Sequence, residues 1–296
     1  MLKGSLVALA TPFDDDNRVD YASLKGLIEF HVEAGSNGLV IAGTTGESAT
    51  LSRDEHIELI ERSVELAAGR LPVIAGTGSN STSQTTDLSR AVDHLEIAGY
   101  LVVVPYYNKP MQAGMVAHFE AVADAVTKPV MLYNVPGRTA ADMLPETVAK
   151  LAEHDNIFAI KEATGSMDRL REIRELVGDD FLLFSGDDFT LLPFIELGGH
   201  GVVTVSGNVA PDQVAQLCEL ALNGKSEEAA ALDETLQPLN TALFIESNPI
   251  PVKWALAEMG LMGPGLRLPL TPYDKKYHAG MRAALKHAGV ELDDAT

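Results

Sequence analysis

The sequence holds one cysteine and one tryptophan in 296 residues, and its 22 lysines and arginines are outnumbered by 42 aspartates and glutamates, a formal net charge of −20. With one cysteine there is no C-x-x-C pair. Cys218 lies in the apolar-periodic stretch 214–222 with no histidine base or cationic neighbour nearby, so it reads as a small core residue rather than a reactive thiol. The shortage of cations excludes polyanionic partners. A nucleic-acid surface needs clustered Lys and Arg to repay counterion release, and no such run occurs. An anionic membrane surface is disfavoured by the same sign argument. No apolar stretch approaches the roughly 18 residues that cross a bilayer. The apolar start Leu6–Ala10 runs into Asp14-Asp15-Asp16 too soon for a signal-peptide core, which predicts a cytoplasmic protein.

Several chemical signatures are missing as well. Neither G-x-G-x-x-G nor G-x-x-x-x-G-K-[ST] occurs, so nucleotide binding loses its usual anchor. The eight histidines are scattered with no H-E-x-x-H, and there is no G-x-S-x-G elbow. His31, His56 and His118 fall within helical patterns and read as structural, and Asp187-Asp188 reads as a helix cap rather than a cation site. No metal is expected.

What the sequence has is repetition. β-rich apolar runs recur at 5–10, 38–42, 72–75, 100–104, 129–133, 157–160, 181–184 and 201–205, with helical periodicity between them and N-cap residues Asp20 and Ser52 ahead of two of the helical stretches. From the second run on, the starts are 20 to 34 residues apart, the size of one βα unit. Eight units predict an α/β fold, a (β/α)8 TIM barrel over residues 1–223. An open doubly wound sheet would show a glycine-rich turn after its first strand, where this chain has Thr11-Pro12-Phe13. Helical patterns near 226–243, 250–260 and 275–288 make residues 224–296 a C-terminal helical extension.

In such a barrel the site is built at the C-terminal ends of the strands. Lys161 ends the sixth run, where burial favours a neutral amine able to attack a carbonyl and form a Schiff base. Taken singly it reads more readily as a lysine that snorkels into water, and it is the residues around it that reverse that reading. Tyr133 ends the fifth run, so the two groups project from adjacent strands toward one mouth, and a tyrosine hydroxyl can carry the proton transfers that imine chemistry needs. Thr44, Thr45 and Tyr107 come from neighbouring strand ends and extend the hydroxyl supply. Arg138 offers a fork for a carboxylate, though alone it is as well read as a solvated arginine. The Thr44-Thr45-Gly46 turn offers backbone and hydroxyl donors for a second carboxylate.

Five segments occur in order: Gly43-Thr44-Thr45-Gly46-Glu47-Ser48-Ala49-Thr50-Leu51, Pro105-Tyr106-Tyr107-Asn108-Lys109-Pro110, Tyr133-Asn134-Val135-Pro136-Gly137-Arg138-Thr139, Ile160-Lys161-Glu162-Ala163-Thr164-Gly165 and Asn248-Pro249-Ile250-Pro251-Val252-Lys253-Trp254. With these the chain resembles, over nearly its whole length, the 4-hydroxy-tetrahydrodipicolinate synthase (dihydrodipicolinate synthase) family of pyruvate-dependent Schiff-base aldolases. The resemblance implies a lyase with no cofactor, in which Lys161 forms the Schiff base with pyruvate and the enamine attacks L-aspartate 4-semialdehyde. The product would be 4-hydroxy-tetrahydrodipicolinate, the first committed intermediate of the diaminopimelate route to lysine. It further implies that Tyr133 shuttles protons with Thr44 and Tyr107, that Thr45 holds the pyruvate carboxylate, and that Gly186 and the carbonyl of Val203 line the pyruvate pocket. Arg138 would bind the semialdehyde carboxylate. Tyr107 would come from a neighbouring subunit, which implies a homotetramer built as a dimer of dimers.

The resemblance also implies a lysine-inhibition cleft at Ser48, Ala49, Arg53, His56, Asn80, Gln84 and Tyr106. Here the chain departs from the sensitive pattern: Arg53 stands where a histidine is frequent and Gln84 where a glutamate receives the ligand's ammonium, so weak or absent lysine inhibition is expected. The competing reading is another pyruvate-dependent lyase, an N-acetylneuraminate lyase or 2-keto-3-deoxy sugar acid aldolase. These share the lysine and tyrosine, but Arg138 and the Tyr106-Tyr107 pair suit a short carboxylated aldehyde better than a polyhydroxy chain. Both substrates would be anions on an acidic protein, which requires the barrel mouth to be a local cationic exception.

Overall fold

In a computed structural model that describes residues 2–292, eight parallel strands close into a single barrel in sequence order. They are β1 (Gly4–Ala8), β2 (Gly38–Ile41), β3 (Val73–Gly76), β4 (Gly99–Val103), β5 (Val130–Asn134), β6 (Ile157–Glu162), β7 (Leu182–Ser185) and β8 (Gly201–Thr204). Every expected run becomes a strand, with its ends moved by no more than two residues. Strands this short and this rich in Val, Ile and Leu are buried on both faces. Alternation along each strand then divides them between two cores. Leu6, Val40, Ile74, Leu101, Met131, Ala159, Leu182, Phe184 and Val203 fill the barrel, while Val7, Leu39, Val73, Val102, Leu132, Ile160, Leu183 and Val202 face the surrounding helices.

Closure between β1 and β8 depends on glycine. Gly4 pairs with Gly201, and a Cβ on Gly201, whose φ is 153°, would lie 2.1 Å from the Gly4 carbonyl oxygen. Only a residue without a side chain lets the last strand approach the first this closely.

The expected caps form. Asp20 accepts from the backbone of Ala22 and Ser23, and Ser52 with Glu55 makes a reciprocal capping box at the start of the helix Arg53–Ala67. Asp187 caps only a short turn through Phe189. Asp188 does something else. Its buried carboxylate accepts from Thr204 Oγ1 and from the backbone N–H groups of Val205 and Ser206, tying the end of β7 to the end of β8. Burial raises the Asp188 carboxyl and these donors oppose the rise.

Beyond the helix Pro211–Leu222, where Cys218 is fully buried, the helices Ser226–Leu243, Ile250–Glu258 and His278–His287 pack Leu236, Leu239, Val252, Leu256, Met281 and Leu285 into the same outer core as the barrel helices. Arg267 ties this region back. It forks onto Glu55 and donates to the carbonyls of Asn17 and Thr50, and the guanidinium holds the Glu55 carboxyl down at about 2.

His31 and His118 are buried against one hydroxyl each, Ser36 at 3.0 Å and Thr82 at 2.9 Å, and burial pushes both rings down to about 4. The unfolded chain then binds more protons than the folded one between pH 6.5 and 4, so stability must fall as pH drops through that window. At pH 5 the loss is about 2 kcal/mol per ring. Urea unfolding at pH 7 and pH 5 should show it, and His31→Gln should remove roughly half; a midpoint unchanged between the two pH values contradicts the burial of neutral imidazoles.

Candidate active site

Lys161 lies one position inside the end of β6, in register with Tyr133 on β5 and Phe184 on β7. Two residues from Ala159, its side chain takes the inward face of the barrel, where only 6% of the residue remains exposed. The ammonium nitrogen stands 4.2 Å from the centroid of the Tyr133 ring. Lys161 and Tyr133 thus lie on adjacent strands and on the same face of the barrel wall, as their spacing predicts.

Gly186 explains how a long side chain fits there. A Cβ at that position would fall 2.6 Å from Ala163 Cβ and 2.9 Å from Lys161 Cε. The missing side chain is the space the lysine occupies. Val203 lies on the inward face of β8 in the same cluster as Tyr133. Lys161, Tyr133, Gly186 and Val203 thus converge at the open end of the barrel.

Thr44, Arg138 and Asn248 line an adjoining cleft of about 670 Å³. Arg138 sits in the short helix Pro136–Thr139 and donates to the backbone carbonyl of Asn248 at 3.2 Å. Asn248 Nδ2 donates to the buried Thr45 hydroxyl at 2.9 Å. Asn248 therefore joins the carboxylate-capturing candidates from two strand ends. Its Oδ1 is buried without a hydrogen-bond partner. Sequence reasoning quoted Asn248 only within a motif and gave it no role.

Tyr107 is not brought to Lys161. It is 87% exposed with φ of 75°, held by a backbone bond to Thr139, and among the described residues no hydrogen bond links Tyr133, Thr44 and Tyr107.

Behind the site, on the outward face of the same strands, is a network that sequence reasoning missed. Glu162 accepts from Asn134 Nδ2 at 3.0 Å and from the Thr164 N–H at 2.7 Å, and the same Asn134 amide reaches Asp142, which Arg169 grips with both nitrogens at 2.8 and 2.9 Å. Burial raises the Glu162 carboxyl, and the amide and backbone donors pull the other way. These bonds fix β5 against β6 at the level of Tyr133 and Lys161.

Of the seven cleft residues implied for lysine, Ser48, Ala49, Arg53, His56, Gln84 and Tyr106 line the 670 Å³ cleft. Asn80 is not among its lining residues, and its carbonyl accepts from the Asn108 amide at 2.8 Å. His56 is turned inward onto the Gly76 carbonyl at 2.7 Å. Asp87, one helical turn beyond Gln84, adds a carboxylate to the cleft that the motif comparison did not anticipate.

Among the described residues no group of three or more His, Cys, Asp or Glu could hold a metal ion, and no helix is long and apolar enough to cross a membrane.

Residues 1–288 match the model of the dihydrodipicolinate synthetase family. A 4-hydroxy-tetrahydrodipicolinate synthase of Ectopseudomonas mendocina is 52% identical over 290 residues, covering 98% of this chain and 99% of that one. The crystal structure of dihydrodipicolinate synthase from Aquifex aeolicus superposes with a TM-score of 0.96 at 44% identity, covering 99% of this chain and all of that one. The chloride-inhibited enzyme of Acinetobacter baumannii, solved with pyruvate, gives the same score and identity over 98% of this chain and all of that one. With a barrel of this topology, a lysine and a tyrosine facing each other at its mouth, and similarity of this depth along almost every residue, the chain belongs to the dihydrodipicolinate synthetase family.

Proposed function

We propose that the chain condenses pyruvate with L-aspartate 4-semialdehyde to give 4-hydroxy-tetrahydrodipicolinate, the first committed step of lysine synthesis by the diaminopimelate route. The observation that carries this reading is the Lys161 amine inside the barrel mouth, 4.2 Å over Tyr133, within a family whose relatives bear that activity in their names.

In this reading the Lys161 amine attacks C2 of pyruvate, and the carbinolamine loses water to leave an imine. The imine nitrogen draws electron density from C3, which gives up a proton to become an enamine. C3 then bonds to the aldehyde carbon, whose oxygen takes a proton. Finally the amino group of the condensed semialdehyde attacks C2 and displaces Lys161, closing the ring. One water is released overall and the lysine is regenerated. Tyr133, whose ring centroid stands 4.2 Å from the Lys161 nitrogen, is the phenol that serves these proton transfers. Thr45 and the Thr44-Thr45-Gly46 backbone hold the keto-acid carboxylate, Arg138 the carboxylate of the semialdehyde, and Gly186 and Val203 shape the pocket. The exposure of Tyr107 supports a role in a second subunit's site and a homotetramer of two such dimers. We place the enzyme in the cytoplasm with no resident cofactor, and treat residues 224–296 as an extension that supplies Asn248 to the site.

Incubation with pyruvate, reduction with borohydride and mass measurement test the covalent step, and the expected adduct maps to Lys161. Turnover on aspartate semialdehyde compared with N-acetylneuraminate and 2-keto-3-deoxy sugar acids tests the acceptor. Adduct formation with turnover only on sugar acids overturns the substrate assignment.

Lysine is expected to bind weakly or not at all, because Gln84 offers no charge to an ammonium and Arg53, which lines the same cleft, repels it. Calorimetric titration should show no micromolar binding, and the initial rate should hold in millimolar lysine; a micromolar dissociation constant contradicts this.

A further inference from the structure

An ion pair buried behind the Thr44-Thr45-Gly46 turn takes no part in the chemistry above. The turn is bracketed by two non-glycine residues in the left-handed region, Ala42 at φ 55° and Glu47 at φ 54°. L residues adopt that backbone at a cost and keep it only where their surroundings over-determine it. At Ala42 the surroundings are backbone: a Cβ on Gly76 would lie 2.5 Å from the Ala42 carbonyl oxygen, so β3 presses directly on the turn. At Glu47 they are charge. The Glu47 N–H closes the turn onto the Thr44 carbonyl at 3.1 Å, and its carboxylate runs inward, where Lys253 pairs with one oxygen and the Arg267 N–H donates to the other at 3.1 Å. The two side chains are 0% and 1% exposed. The Lys253 ammonium also stands 4.1 Å from the Phe13 ring centroid, with the Arg267 guanidinium 4.2 Å from the same ring.

The helix Ile250–Glu258 that carries Lys253 follows directly on Asn248, which donates to Thr45 and accepts from Arg138. One rigid segment of the C-terminal extension thus touches the turn at two points, at Thr45 directly and at Glu47 through the ion pair.

We infer that the Glu47–Lys253 pair is a positioning device, which holds the Thr44-Thr45 donors at the geometry that receives the carboxylate of the keto acid. Stability alone does not account for it. A buried ion pair gains little over a well-packed apolar pair, because desolvation offsets the attraction. What apolar side chains cannot do is fix one carboxylate at one point and, through it, a strained backbone two residues from the binding hydroxyl. The inference rests on the pyruvate reading of the site.

The test compares wild type, Glu47→Gln, Lys253→Met and the double variant, by thermal melting, by steady-state kinetics, and by the pyruvate concentration that gives half-maximal borohydride trapping. Each single change strands a buried polar partner and should lower the melting point. The double change removes both charges and should regain most of that stability, yet its half-saturation for pyruvate should stay about ten-fold above wild type, while kcat and the KM for the semialdehyde change less than about three-fold. Half-saturation that returns to the wild-type value together with stability overturns the inference. If the double variant stays unstable, Leu239→Ala in the helix Ser226–Leu243 serves as a destabilised reference: equal melting loss with unchanged pyruvate half-saturation supports the inference, and an equal rise in both proteins overturns it. Absence of any adduct in the wild-type protein would instead overturn the pyruvate reading itself.

Discussion

Replacing Lys161 with methionine should abolish the borohydride-stable pyruvate adduct and lower turnover by about 10⁴-fold or more, the scale seen when a covalent nucleophile is removed. Methionine is the informative choice because it keeps the length and apolar character of the lysine stem. The stem is packed beside Ala163 and the Gly186 backbone inside the barrel, so alanine would open a cavity and confound chemistry with collapse. The fold should survive and could gain stability, since a buried amine is exchanged for a thioether that needs no hydrogen-bond partner. Titration calorimetry with pyruvate completes the test. A variant that still binds pyruvate reversibly while forming no adduct separates the carboxylate-holding turn from the nucleophile. An adduct persisting in the variant would assign the Schiff base to another lysine, and Lys253, whose amine burial lowers to about 8 against the pull of Glu47, would be the first to examine.

The residues that make this prediction possible differ in how far the sequence exposes them. Lys161 and Tyr133 are legible because strand alternation and βα spacing are local properties: a run of Ile157, Phe158, Ala159 and Ile160 that ends in a lysine specifies a strand and the position of its odd member. The eight strands and the three C-terminal helices follow from the same arithmetic. Lys253 is different. It is paired with a glutamate 206 residues away, and nothing local separates a glutamate in a glycine-flanked turn from one that faces water. A signal did exist in the helix Ile250–Glu258, where Lys253 is the one cation, set between Pro251 and a run of apolar residues in a helix buried nearly all round. The network of Glu162, Asn134, Asp142 and Arg169 escaped for the same reason, as each member is an unremarkable polar residue until β5 and β6 are laid side by side. Asp188 shows the limit most clearly. Its position after Gly186-Asp187 fits a cap, and only the arrival of β8 turns it into a buried acceptor for three donors. Local periodicity fixes what an element is; which charges become buried is settled by partners distant in the chain.

Gly186 offers the sharpest separation of stability from chemistry. A single added methyl, Gly186→Ala, should lower kcat about 10²-fold while the protein still folds. The new Cβ would meet Ala163 Cβ at 2.6 Å, Lys161 Cε at 2.9 Å and Lys161 Cγ at 3.2 Å. The alanine methyl is fixed by its backbone, and the Gly186 N–H is itself bonded to the Glu162 carbonyl at 2.7 Å, so the strand ends cannot part without breaking that bond. The flexible partner gives way, and the lysine chain moves out of line with Tyr133. Displacement of a reacting group by about 1 Å is enough for a loss of this size, and overpacking should cost about 1–3 kcal/mol of stability in addition. A second substitution splits the two effects. Ala163→Gly in the same protein removes the 2.6 Å contact but leaves the crowding of Lys161. The melting point of Gly186→Ala/Ala163→Gly should therefore recover while the rate of adduct formation stays depressed; recovery of both would mean that the glycine serves only the packing of β7 against β6 and does not make room for the nucleophile.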